Sequence, residues 1–309
     1  MSFVLEQQVI STRLAKRKMR HVSEKIIETL LFLSAAASIL ITVGVVYILV
    51  RESVIFFQYV SIIDFLTDTQ WTPLFDDAHF GIIVLLSGTI VSSLVALGVA
   101  IPIGTVVALY LSEFAASRTR EVVKPTLELL SGIPTVVFGY FALLFITPLL
   151  QSIFPELPGF NLLSAGIMMG IMIMPLITSI SEDAIRAVPM NLREGSYAMG
   201  ATRLQTAIRV VVPASISGIT ASYILGISRA LGETMIVSIA AGMQPSFTWN
   251  PTEPAATMTA YIVQVALGDL PHGSVGYQTI FATGLTLMLS TLFFNILGFW
   301  MQHKHRERY

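Results

Sequence analysis

Residues 214–242 read ASISGITASYILGISRALGETMIVSIAAG, an apolar run interrupted only by Arg229 and Glu233. A bilayer-spanning helix needs about 20 apolar residues, so the run is long enough to cross. Read as one helix, it places Arg229 near its midpoint, roughly 20 Å from either end at ~1.5 Å rise per residue. An arginine there cannot snorkel out easily and costs about 2.5–3.5 kcal/mol on insertion scales. Glu233 would follow one turn later on the same face. Gly218, Ser222, Gly226, Ala230 and Thr234 form a stripe of small residues at four-residue spacing, which lets a second helix approach closely. Arg229 and Glu233 border that stripe, so they are expected to face a bundle interior or a subunit seam. Two roles stay open: a structural lock between helices, or an anion station on a pathway. A guanidinium fork matches an oxyanion, and Glu233 would keep that anion from being held too tightly.

The rest of the chain supports a membrane setting. Of 309 residues, 54% are hydrophobic and 12% charged, with a mean hydropathy of +0.75; a soluble domain is about a quarter charged. Six segments qualify as spans, at roughly 29–50, 81–111, 129–150, 161–180, 214–242 and 278–301. The second is too long for a perpendicular crossing, and its Pro102 predicts a tilt, a kink or an extension beyond the bilayer. None alternates as a barrel strand does, so the expected fold class is all-α. The run Leu30–Val50 exceeds a signal-peptide core, and Ala35–Ala37 lies inside it; an uncleaved first helix is expected.

Basic residues set the orientation. They gather before the first span (Arg13, Lys16, Arg17, Lys18, Arg20, Lys25), in 112–128 (Arg118, Arg120, Lys124), in 181–213 (Arg186, Arg193, Arg203, Arg209) and in the tail (Lys304, Arg306, Arg308). The alternate loops 51–80, 151–160 and 243–277 hold only Arg51 and carry acids instead. Both termini are therefore expected in the cytoplasm. Residues 1–28 read as a cytoplasmic N-terminal segment, either an amphipathic surface helix or a basic tail that only sets topology. Residues 302–309 read as a basic tail. The segment VIFFQYVSIIDFLT (54–67) is too short to cross. Trp71, Phe75 and Phe80 suit an interfacial belt.

The connection 181–213, SEDAIRAVPMNLREGSYAMGATRLQTAIRVVVP, is more ordered than a plain linker requires. A turn at Pro189–Asn191 leads to one short helix, Gly200 interrupts, and a second amphipathic helix places Leu204, Ile208 and Val211 on one face before Pro213 starts the next span. Two short helices about a glycine hinge make a docking knob for another protein, or a surface anchor. Glu194, with small Gly195 and Ser196 after it, then Gly200 and Ala201, then Val210, Val212 and Pro213, resemble the E-A-A…G…I-x-L-P signature of permease subunits of ATP-binding-cassette importers. The resemblance implies that this loop enters a cleft on a cytoplasmic ATPase and relays its closure to the spans. It implies a type I importer permease architecture. No G-x-x-x-x-G-K-[ST] occurs in the chain, so no nucleotide phosphate is cradled here.

Three stretches, FGIIVLLSGTIVSSLVALGVAIPIGTVVALYLSE (80–113), LELLSGIPTVVFGYFAL (127–143) and GISRALGETMIVSIAAG (226–242), are similar to the C-type permeases of phosphate-specific uptake transporters. That similarity implies import of inorganic phosphate delivered by a periplasmic binding protein. It implies a heterodimer with a second, A-type permease and two copies of a cytoplasmic ATPase carrying ATP and Mg. Arg229 and Glu233, with Thr234 beside them, match the charged stretch that the family places on the phosphate path. Ser131, Gly132 and Pro134 open the third span, as a hinge or as a plain helix start. The acidic outer loops would repel free phosphate, which favours hand-over from a docked carrier.

Another oxyanion (sulfate, tungstate or molybdate) fits the same residues, and a passive channel or scaffold is a different class that the coupling loop argues against. The chain has no cysteine, and its five histidines, at 21, 79, 272, 303 and 305, are scattered, so no disulfide and no metal site are expected. The spans show no buried acid pair and no serine–histidine constellation. This chain is expected to bind no cofactor, to contact membrane lipid and protein partners but no nucleic acid, and to catalyse nothing itself.

Overall fold

The computed structural model describes residues 2–304 apart from 74, 76, 270 and 272; side chains are described from 24 onward, except at 269 and 301–304. The basic side chains of Arg13 to Arg20 and the tail 305–309 thus lie outside the described residues. Among the described residues the chain is helical, with a single β-bridge, Trp71 to Phe80.

The chain divides into two units, Met1–Arg51 and Glu52–Tyr309. The first is a single helix, the greater part of α1 (Ser2–Phe56), which runs without interruption through residue 28. The apolar stretch of α1 is Glu24–Phe56. The second unit holds α2 (Ile62–Thr67), α3 (Ile82–Phe114), α4 (Ser117–Ser131), α5 (Thr135–Gln151), α6 (Leu162–Arg186), α7 (Met190–Ala198), α8 (Arg203–Leu231), α9 (Met235–Ala240), α10 (Met258–Gly268) and α11 (Val275–Lys304).

Five of these helices, α1, α3, α6, α8 and α11, are long and apolar enough to cross a membrane. A sixth crossing exists only if α4 and α5, bent by 90°, count as one span. The expected third span at 129–150 is therefore not one straight helix. It turns at Gly132–Pro134, and the preceding fifteen residues, expected to be mostly loop, form amphipathic α4. Proline lacks the N–H that would continue the ladder and drives the residue before it out of the helical region.

Four further boundaries differ from the sequence reading. The second span continues unbroken past Pro102 to Phe114. The fourth continues to Arg186, so 181–186 is helix rather than loop. The second amphipathic helix is the start of α8 itself, and Pro213 does not begin a new element; a π-helical turn at Ala207–Val211 sits immediately before it, where a regular ladder would face the missing proline N–H. The fifth span breaks at Gly232–Thr234 into α8 and α9.

The α3–α6 pair is the centre of the second unit. A Cβ on Gly170 would lie 2.7 Å from the Ala96 carbonyl oxygen, so only glycine permits that backbone approach. Ala96, Ala100, Ala165, Met169 and Ile173 are buried along the seam. The other face of α6 meets the small-residue stripe of α8: Ser181 Oγ and Ser222 Oγ are 2.8 Å apart, and Gly226 lies against Ile177. Ser228 on α8 donates to Asn295 Oδ1 of α11 at 2.6 Å.

At the opposite end from the 187–202 connection, Phe56, Phe65, Trp71, Ile82 and Tyr261 form a second core. Trp71 is 2% exposed and meets Tyr261 edge to face at 4.9 Å. It is a core residue, not part of an interfacial belt; Phe75 is exposed and Phe80 half-buried. The 243–277 connection is also not a plain connector. It carries α10, whose N-terminal Met258 N–H donates to Thr89 Oγ1 at 3.0 Å and whose Tyr261 hydroxyl lies 2.6 Å from Thr279 Oγ1.

Candidate functional site

Arg229, Glu233 and Thr234 flank a break between two helices. Helix α8 ends at Leu231, Gly232 caps it, and Glu233 occupies the gap before α9. Glu233 is 6% exposed. Its Oε1 accepts the backbone N–H groups of Met235 (3.1 Å) and Ile236 (3.4 Å), so the carboxylate serves the start of α9. Its own carbonyl accepts Thr259 Oγ1 at 2.7 Å, which ties the break to α10. Thr234 contributes its carbonyl to Ser238 Oγ at 2.6 Å.

Arg229 lies on the last turn of α8, a favourable place for a cation. Its side chain is exposed, and its guanidinium Nη2 approaches Met172 Sδ at 3.7 Å. Among the described residues no carboxylate pairs with it. The expected geometry, a pair one turn apart near the middle of a single helix, is thus corrected: the helix ends between the two residues, and Glu233 is committed to backbone donors. Arg229 is a cation held in a membrane-spanning segment with a sulfur neighbour and no acid.

The 187–202 connection brings together the second set of expected residues. Helix α7 carries Glu194 and Gly195, both exposed, and half-buried Ser196, whose Oγ lies 2.8 Å from Thr206 Oγ1 of α8. A Cβ at Gly195 would meet open space, so the glycine where the signature has alanine changes no packing. Gly200 has φ +82°, a left-handed value that suits glycine at a helix end. Half-buried Ala201 donates its N–H back to the Ser196 carbonyl at 3.2 Å, and Thr202 with Gln205 forms a capping box that starts α8.

Beneath this connection lie ionic contacts that the sequence did not disclose. Arg193 on α7 is 8% exposed. It donates Nη2 to Glu113 Oε1 (2.8 Å) and to the Ile185 carbonyl (2.9 Å), Nε to Glu113 Oε2 (3.4 Å) and Nη1 to the Val188 carbonyl. Arg203 donates to the Glu113 carbonyl at 2.9 Å and stands 5.9 Å from the Phe114 ring centre. Glu182, fully buried, meets Lys124 Nζ at 2.7 Å and Arg120 Nε at 2.8 Å from α4, with Arg186 Nη1 at 3.7 Å. Lys124 also reaches Asp183 at 2.7 Å. A cavity of about 810 Å³ opens among Glu113, Arg120, Lys124, Arg186, Arg193 and Arg203. The available signal was the four-residue spacing of Arg120 and Lys124, which puts two cations on one face of a helix. Their acid, Glu182, is distant in sequence.

At the other end, Asp68 Oδ2 and His79 Nδ1 are 2.7 Å apart across the Trp71–Phe80 bridge. The hydrogen bond to Asp68 raises the His79 pKa above its ordinary value, against partial desolvation. For Asp68, desolvation pushes upward but is outweighed by the bonds from His79 and the Gln70 N–H, and the net direction is down.

Comparison with known proteins locates the chain. Residues 100–308 match the family model described as binding-protein-dependent transport system inner membrane component. A probable ABC transporter permease protein, YqgH of Bacillus subtilis, is 36% identical over 77% of each chain. The phosphate transport system permease protein PstC of Mesorhizobium japonicum is 33% identical over 74% of each. Among solved structures, a bacterial ABC transporter involved in import of the acidic polysaccharide alginate superposes with a TM-score of 0.59 at 17% identity, covering 81% of this chain and 85% of that one. That likeness is one of fold.

Proposed function

Because the chain belongs to the family of inner membrane components of binding-protein-dependent transport systems, we propose that it is the C-type permease subunit of an ATP-driven importer of inorganic phosphate. The observation that carries the anion assignment is Arg229, a guanidinium inside the spanning region that has no carboxylate partner among the described residues. An arginine fork matches two oxygens of a tetrahedral oxyanion. Placing it at a helix end beside an already satisfied Glu233 leaves its donors available. The PstC relatives point to phosphate as that anion.

In this reading the termini and the 187–202 connection face the cytoplasm. Helix α7, presenting Glu194, Gly195 and Ser196, docks in a cleft of a separate ATPase, and Gly200 and Ala201 complete its turn. ATP and Mg belong to that partner, and this chain catalyses nothing. A second, A-type permease completes the path, and a periplasmic phosphate-binding protein docks on the outer loops, whose acids then act as contacts rather than as an entrance for free anion. Alternating access opens the site at Arg229 first to one side and then to the other.

Proteoliposomes containing this chain, the partner permease and the ATPase, supplied with phosphate-loaded binding protein, test the assignment. ATP-dependent uptake of labelled phosphate that excess sulfate, molybdate or tungstate does not suppress is the expected result. Suppression by one of those anions would reassign the substrate, and uptake independent of ATP would reassign the class.

A further inference from the structure

The coupling helix α7 is joined covalently only to α6, through Ala187–Pro189, and to α8, through Met199–Thr202. Helix α3 is remote in sequence, yet it packs closely on α6 at Gly170, Gly166 and Gly104 and so forms one packed pair with it. A force on α7 needs a rigid attachment to that pair. The three-residue link 187–189 contains single bonds that can swivel, and a swivelling link would dissipate a push into rotation of α7.

Arg193 is the side chain that closes this gap. Its guanidinium grips the end of α3 through both carboxylate oxygens of Glu113, whose side chain is 9% exposed, and the end of α6 and the link through the Ile185 and Val188 carbonyls. One planar group thus pins α7 to both members of the α3–α6 pair. Arg203 adds a second grip on the Glu113 carbonyl from the start of α8. Glu113 lies in the π-helical turn Tyr110–Phe114 that terminates α3, so the attachment falls at the tip of a lever that extends through the bundle.

We propose that Arg193, clamped on Glu113, is the positioning residue that transmits movement of the ATPase from the coupling helix to the α3–α6 pair. The inference rests on the importer reading above. It is distinct from docking itself, which falls to exposed Glu194 and its neighbours. A lysine at 193 would keep the charge but lacks the fork needed to hold a carboxylate and two carbonyls together.

The test uses the full complex in proteoliposomes with phosphate-loaded binding protein, measuring labelled phosphate uptake and ATP hydrolysis in the same vesicles. Co-purification of the ATPase is measured alongside. For Arg193→Met and Glu113→Gln the ratio of phosphate imported to ATP hydrolysed should fall at least ten-fold while the ATPase still co-purifies. Arg193→Lys should give an intermediate ratio, and the double variant Arg193→Met with Glu113→Gln should be no more than two-fold worse than the more severe single variant. An unchanged ratio in either single variant overturns the proposal. Additive losses in the double variant also overturn it, as does loss of the ATPase from both single variants, which would make Arg193 part of the docking surface. A wild-type complex that imports no phosphate would instead refute the importer reading, and the two failures are distinguishable.

Discussion

The carboxylate of Glu233 accepts the Met235 and Ile236 N–H groups, and Arg229, four positions earlier, is left to Met172 Sδ at 3.7 Å. Sequence neighbours that would form a charge pair on a continuous helix are separated by a helix end. The acid is used locally, and the base is not.

That division of labour makes the Glu233 charge dispensable for folding while its acceptor oxygen is not. Glu233→Gln, which keeps an oxygen for the α9 N–H groups, should leave the thermal midpoint of the detergent-solubilised protein within about 2 °C of wild type. Glu233→Ala should lose about 1 kcal/mol, the scale of a lost helix cap. Equal losses in the two variants would mean that charge, not capping, is what the site uses.

Glu182 is buried against Arg120 and Lys124 and is the buried acid that, with more exposed Asp183, holds α4 to α6. Breaking a buried ion pair on one side typically costs about 3–5 kcal/mol. Arg120 and Lys124 keep part of their surface in solvent, with side chains 30% and 24% exposed, so a loss nearer 2–3 kcal/mol is expected for Glu182→Gln. Scanning fluorimetry of the purified protein reads this as a lowered midpoint, and proteolysis within 117–131 should quicken.

The Asp68–His79 contact makes the loop 68–81 pH-sensitive. The folded His79 pKa lies above its ordinary value of 6.5, so its contribution is fully present below about 6.5 and is lost as pH rises through the raised folded value. The folded Asp68 pKa lies below its ordinary value of 3.8, so its contribution is present above that value and is lost as pH falls through the lowered one. The loop should therefore be most protected between roughly pH 4 and 6.5. Intrinsic-rate-corrected amide exchange over 68–81 should speed up above that window in the wild type, and His79→Gln should remove the dependence.

Gly200 holds φ +82° at the end of α7. A β-branched residue there is strained by about 1–2 kcal/mol, which the helix can relieve only by changing the direction in which Glu194 is presented. Gly200→Val should reduce the amount of ATPase that co-purifies with the complex, whereas Gly195→Ala, with open space around its Cβ, should leave it unchanged.

The sequence made legible what depends on composition and short spacing. Apolar length located α1, α3, α6, α8 and α11, and the small-residue stripe foretold the face by which α8 meets α6. Hydropathy is blind to where a run stops being helical. At Gly132–Pro134 the local signal was present in the proline, but the apolar average across 129–150 masked it. At Gly232–Thr234 no proline marks the break. It is fastened by Thr259, which donates to the Glu233 carbonyl from α10, a partner 26 positions away. Arg193–Glu113 and Lys124–Glu182 were invisible for the same reason: each joins residues separated by 80 or 58 positions, and only folding makes them neighbours. Trp71 looked interfacial because tryptophans at membrane ends commonly are; packing against Tyr261 decided otherwise.

The central claim, that a cation within the spans, without an acid partner among the described residues, receives the transported anion, meets its most direct test in Arg229→Gln. Glutamine preserves bulk and hydrogen bonding but removes the charge, and a hydrogen bond to a charged group is worth about 1.5–3 kcal/mol. In proteoliposomes holding the assembled complex, phosphate uptake driven by ATP should fall at least ten-fold, with the partner permease and ATPase still bound. Wild-type uptake by that variant would contradict the account.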